Sequence, residues 1–264
     1  MTFPPSALLI LKLILTPVLI ALVTWVGRRW GPSIGGWLMG FPLTSGPVSA
    51  LLALQYGHTF AARAAVGTMA GQASDCVFCL VYCLVSQFTG WPLSVLAAIV
   101  SFFVSIFIWN GVQLSLLLTF AIVVLNIGVV FWLLPGRTGA LKTSITPRWD
   151  LPARMLAAAA FVVLLTTFAN SLGARLSGLL TPFPLFTMVI AVFTHHQQGP
   201  AAAAQLLRGV VMGGFAFATF FLVVSILLPG VSMGWTYLAA TAAALILNGI
   251  ALRFVQPRQN PLPA

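Results

Sequence analysis

Acidic side chains are the scarcest chemical resource of this sequence: Asp75 and Asp150 are its only carboxylate residues, and it has no Glu. Two isolated carboxylates cannot build the clustered oxygen cage that Mg²⁺-dependent chemistry needs. No GxxxxGK[ST] pattern is present either, so hydrolysis of ATP by this chain is excluded. What remains for Asp75 is the chemistry of a single acid inside an apolar run. A charged side chain in hydrocarbon costs at least about 2.5–3.5 kcal/mol on insertion scales, so such a residue usually faces a cavity or a partner. Asp75, with Gln72 beside it, is therefore the candidate ion-coupling site, taking up a proton or a cation. The competing reading is a neutral, hydrogen-bonded Asp that holds helices together.

Cys76, Cys79 and Cys83 follow Asp75 in the run DCVFCLVYC. Spacings of three and four put the thiols on one helix face. That face could offer a soft-metal path, but buried Cys more commonly serves as a small apolar filler, and no metal site or cofactor is expected. Helical spacing does not suit a disulfide framework. His195 and His196 precede Gln197-Gln198-Gly199; they could sense pH or simply end a helix at the interface.

These residues sit in a chain that is 60% hydrophobic and 5% charged, with apolar runs of about 20 residues from end to end. The class expected is an all-α polytopic membrane protein; a membrane β-barrel would show short alternating segments instead. Nine transmembrane helices are predicted, near 6–26, 33–56, 62–88, 92–110, 112–134, 151–172, 175–196, 203–228 and 233–254. Spans four and five are separated only by Trp109-Asn110-Gly111, within some 40 apolar residues too long to cross a bilayer once. The N-terminal run lacks a charged segment and a small-x-small cleavage pattern and reads as the first membrane helix.

The net charge of +10 does not imply nucleic acid as a partner. Its basic residues lie mostly at predicted helix ends, where they meet lipid head groups. With nine spans, one face would hold Arg28, Arg29, Arg137, Lys142, Arg148, Arg154, Arg208, Arg253 and Arg258, and the other Lys12, Arg63 and Arg175. This bias places the N-terminus outside and the C-terminus in the cytoplasm. Arg outnumbers Lys ten to two, which suggests a GC-rich bacterial genome and hence the inner membrane.

Laid against itself with a shift of 142 residues, the chain repeats. Phe41-Pro42-Leu43 falls on Phe183-Pro184-Leu185, Gln55 on Gln197, Gly57 on Gly199, and the GxxxG pair at 67–71 on that at 209–213. Between 31 and 81 there are 15 identities in 51 ungapped positions, and Lys12 meets Arg154. Apolar composition alone does not place an FPL triplet, a Gln-x-Gly and a GxxxG in phase. The shift spans five predicted helices, and an odd number inverts the second copy in the membrane. The expected organisation is a first repeat at 1–111, a linking helix and cytoplasmic connector at 112–150, and a second repeat at 151–264. Were spans four and five one re-entrant element, the copies would instead be parallel.

Paired Gly/Pro interruptions in inverted copies point to a midplane binding site of the kind found in secondary transporters. Helices two and seven are accordingly expected to be broken. The candidate substrate-binding residues are Phe41, Pro42, Thr44, Ser45, Gly46, Gln55, Thr181, Phe183, Pro184, Thr187 and Gln197. Thr44 and Ser45 are expected to cap a half-helix beginning near Pro47. Half-helix N-termini favour an anionic or carboxylate-bearing solute. The function expected is a secondary active, ion- or proton-coupled transporter of a small solute, not an enzyme. A lipid head-group transporter or flippase is the first alternative; a passive channel or structural subunit is the second. Membrane lipids are the other expected partners, and a homodimer stays open.

Overall fold

The computed structural model describes residues 5–111, 114–135, 149–164 and 183–255. Among them the structure is helical, with no strand. The helices are α1 (Pro5–Trp30), α2 (Pro32–Met39), α3 (Ser45–Tyr56), α4 (His58–Val85), α5 (Trp91–Asn110) and α6 (Leu116–Leu133). They continue with α7 (150–164), α8 (Leu185–Gln198), α9 (Pro200–Leu227) and α10 (Met233–Val255). Six of them, α1, α4, α5, α6, α9 and α10, are long and apolar enough to cross a membrane.

The expected second span, 33–56, is two helices of 8 and 12 residues with a break at 40–44. The expected fourth and fifth spans are two separate helices, α5 and α6, parted at Gly111. The expected spans at 151–172 and 175–196 are described only in part, as α7 and α8. Span three begins earlier than expected, because α4 follows α3 after a single residue. That residue, Gly57, has φ 85° and ψ 164°, a region open essentially only to glycine. Gly199 makes the same one-residue corner between α8 and α9, with φ 88° and ψ 174°.

The 142-residue shift recurs in the structure. α4 and α9 both have 28 residues, and their first and last residues coincide under the shift; α5 and α10 begin at shifted positions. Packing follows the same rule. α4 lies against α3 and α5, and α9 against α8 and α10; α5 reaches α8 as α10 reaches α3. The linking helix α6 touches both α4 and α9, which also pack on each other. Arg208 of α9 donates to the carbonyls of Phe131 and Leu134 and lies over the Phe131 ring, satisfying acceptors that the end of α6 leaves open.

α4 and α9 form the centre, burying Met69, Phe78, Tyr82, Leu207, Val210 and Phe221. Large apolar side chains on α5, α6 and α10 point outward, such as Phe107, Leu125 and Ile246. Trp30, Trp91, Trp132 and Trp235 are exposed at or near helix ends, as an aromatic belt requires.

The tightest seam joins α2 to α9. A Cβ at Gly36 would lie 1.8 Å from the Leu206 carbonyl oxygen, one at Gly209 2.1 Å from the Ser33 oxygen, and one at Gly40 2.4 Å from the Gly213 Cα. The GxxxG of α9 thus receives the first half of the broken span, backbone against backbone. Gly36→Ala and Gly213→Ala should each destabilise the protein by about 1–3 kcal/mol, because the obstacle is backbone rather than a movable side chain. Gly128→Ala on α6, where an added Cβ meets nothing within 4 Å, should leave stability unchanged or raise it slightly. Thermal unfolding of the purified variants checks this.

Candidate functional site

The described backbone at 41–43 and at 183–185 is set by proline in the same way. Proline fixes φ near −65° and brings no N–H, so the chain cannot continue a helical ladder through it. At the first break the Leu43 N–H donates to the Phe41 oxygen at 2.7 Å and the Gly46 N–H to the Pro42 oxygen at 2.9 Å. At the second, Leu185 donates to Phe183 at 2.8 Å and Met188 to Pro184 at 2.8 Å. Each site is therefore a three-residue turn centred on proline; α8 starts directly at Leu185, whereas α3 starts at Ser45, after one intervening residue. Pro184 has φ −79° and ψ 55°, an inverse γ-turn. Phe41 and Phe183 are half-buried, and Pro42 and Pro184 are buried.

Each break leans on the other copy. Gly46 sits over the Phe220 ring of α9, and the Ser49 hydroxyl bonds the Tyr237 hydroxyl of α10 at 2.8 Å. Phe183 stacks against Phe103 of α5 at 5.9 Å and meets Phe102 edge-on at 5.6 Å. The first break runs beside α9 from Gly213, which meets Gly40, to Phe220. Under the shift, the corresponding stretch of α4 runs from Gly71 to Phe78 and brackets Asp75.

Thr44 and Ser45 stand at the start of α3, but no side-chain cap bond is formed there; Thr44 has helical angles, φ −102° and ψ −41°. Their half-buried hydroxyls are thus not consumed by capping. Thr187 is buried on α8. Gln55 is half-buried in the last turn of α3. Thr181 lies outside the described residues.

Gln197 is committed elsewhere. Its amide donates to Asp150 Oδ1 and accepts from Arg154 at 3.3 Å. Asp150 is fully buried and also takes the Arg154 Nε, at 3.0 and 2.9 Å, and an Arg28 guanidinium N–H at 2.5 Å. Arg154 also lies 5.1 Å over the Phe193 ring. This network ties the ends of α1, α7 and α8 together, and the sequence reading had placed Asp150 in a connector. The Asp150/Arg154 spacing of four on one helix was the available signal.

On α4, Gln72 is buried and Asp75 is half-buried. Asp75 Oδ1 is buried with no hydrogen-bond partner among the described residues. On the same helix, the Ser74 hydroxyl bonds that of Ser105 on α5 at 2.9 Å, and the Gln72 amide lies against Cys76 Sγ and Gly214. Cys76, Cys79 and Cys83 are free, buried thiols in the apolar core. His195 meets the Tyr82 hydroxyl through Nδ1 at 3.2 Å, and His196 meets the Trp91 ring edge-on.

An open groove of about 790 Å³ runs between α4 and α5, lined by apolar side chains such as Val77, Leu96 and Val100, with Ser101 and Ser105 among them.

The helices and their apolar exterior define an α-helical integral membrane protein. No protein-family model matches the chain, nor does any curated protein or solved structure.

Removing one partner of a buried ion pair leaves an uncompensated charge, so Asp150→Asn should cost about 3–5 kcal/mol. Arg28→Gln should cost less, about 1 kcal/mol, since the Arg28 side chain is 34% exposed. Denaturant or thermal unfolding of the purified variants gives the order.

Proposed function

We propose that the protein is a secondary active transporter of a small anionic or carboxylate-bearing solute. Its two repeats would be inverted in the membrane, joined by α6, with the breaks before α3 and α8 forming the substrate site. The observation that carries this reading is the identical hydrogen bonding at Phe41-Pro42-Leu43 and Phe183-Pro184-Leu185, each break followed by a helix that ends at a matching glycine corner. A single proline kink closed by its neighbours would not require a second copy in register. Irregular backbone at membrane depth is tolerated where it is buried in protein or lines a wet cavity, and here each break is held against helices of the other copy. The new helix starts at Ser45 and Leu185 present positive dipole ends, suited to a carboxylate. Phe41, Pro42, Thr44, Ser45, Gly46, Phe183, Pro184 and Thr187 are the proposed contacts, with Asp75 coupling the movement of a proton or a cation.

The groove between α4 and α5 favours a second reading, a lipid head-group transporter, because its apolar lining and exposed position suit an acyl chain. Lipid retained through purification, and lost on Val100→Trp, would favour that reading.

Topology decides the architecture first. In a background lacking the three native cysteines, His58→Cys and Pro200→Cys stand at matching corners. Labelling from opposite sides of the membrane is expected; labelling from the same side would mean parallel copies and remove the inverted-repeat basis. Saturable uptake, assayed with a panel of mono- and dicarboxylates, should then fall at least tenfold in Pro42→Ala and in Pro184→Ala while thermal stability changes little. Normal uptake by both variants would reduce the breaks to packing kinks.

A further inference from the structure

Asp75 carries more than a coupling role in general, because its surroundings select the ion. Among the described residues, α4 packs mainly on α3, α5, α6 and α9, and α8 touches it through His195. α5 and α6 contain no titratable side chain. α3 offers only Tyr56, the last residue of that helix. α9 offers only Arg208, whose guanidinium is bonded to the end of α6 and lies over Phe131. On α4 itself, His58 and Arg63 lie three or more turns away toward the Gly57 corner, and Cys76, Cys79, Tyr82 and Cys83 are neutral groups in the core. Tyr82, about two turns on, is engaged by His195 of α8. Among the described residues, no cation and no hydrogen-bond donor meets Asp75 Oδ1.

Among the described residues, an ionised carboxylate at this place finds no compensating charge, and its buried Oδ1 finds no hydrogen bond. A bound hard metal cation would need several oxygen ligands. The hydroxyl of Ser74, its chain neighbour, is bonded to that of Ser105, and the Gln72 amide nitrogen faces Cys76 and Gly214. A proton needs no such cage, since it removes the charge on the carboxyl itself. Asp150, the only other acidic residue, is already engaged by Arg28 and Arg154 near the ends of α1 and α7.

Resting on the carrier reading, we propose that the coupling ion is the proton, that Asp75 is its single carrier, and that the solute anion travels with it. The direction of coupling follows from charge. An ionised Asp75 repels an anion bound at the breaks, whereas a neutral carboxyl does not, so protonation and anion binding favour each other. In one cycle the Asp75 O–H bond forms with a proton taken from water on one side and breaks to give that proton to water on the other. One proton moving with one monoanion carries no net charge.

The test begins on purified protein in lipid nanodiscs, without any solute. The infrared difference between wild type and Asp75→Asn at neutral pH should contain a protonated-carboxyl C=O band, which Asp75→Glu restores at a shifted frequency. Replacing choline with sodium at constant ionic strength should leave the melting temperature unchanged. An ionised carboxylate band at neutral pH, or sodium-dependent stabilisation lost in Asp75→Asn, would overturn the proposal and leave the carrier reading standing. In proteoliposomes, uptake of a monocarboxylate from the panel should respond to a pH gradient and not to a potassium–valinomycin potential; potential-driven uptake would overturn the one-proton stoichiometry. Absence of any saturable uptake, with the infrared band intact, would place the failure in the carrier reading and withdraw the symport with it.

Discussion

Helices in lipid gain little by hiding apolar side chains from one another, since the tails around them are equally apolar. Their association must come from close contact and from polar groups that find partners. In this chain the contact on which the rest depends is the glycine seam between α2 and α9, where Gly36, Gly40, Gly209 and Gly213 bring two backbones together. α2 has only 8 residues and cannot cross a bilayer by itself. It holds its place because α9 offers it a surface without side chains. The break at 40–44 and the start of α3 follow from that anchorage: once α2 is fixed on α9, Pro42 turns the chain and Gly46 comes to rest over Phe220.

The copies match in backbone and differ in side-chain chemistry. The helix boundaries, proline turns and glycine corners repeat, yet the repeat mate of Asp75 is Phe217 and that of Asp150 is Leu8. Polar chemistry is laid on one copy at a time. One acid is spent on joining α1, α7 and α8; the other, on α4, has a buried oxygen with no partner among the described residues.

This difference explains what could be read in advance. Proline and glycine act through their own backbones, so the break at 40–44 and the separation of α5 from α6 were legible one residue at a time, while the one-residue corners at Gly57 and Gly199 read as longer loops. The role of Asp150 was not, because it depends on Arg28 arriving from a helix more than a hundred residues away, and apolar periodicity says nothing about such a meeting. The same limit applies to Gln197. In sequence it is the mate of Gln55 beside a break; in three dimensions its amide is absorbed by Asp150 and Arg154. Thr44 is a residue type that caps helices but lacks the extended angles that capping needs, and α3 starts instead with the Gly46 and Val48 N–H groups donating to the Pro42 and Thr44 carbonyls.

The seam also fixes an order of events during synthesis. α2 leaves the ribosome early, in the first copy, but the surface that receives it belongs to α9 in the second. Until that surface exists, α2 has only α1 beside it, through Gly35 against Gly27. Its other glycine face waits for a helix that is made some 170 residues later, so the packing of the first half is completed by the second.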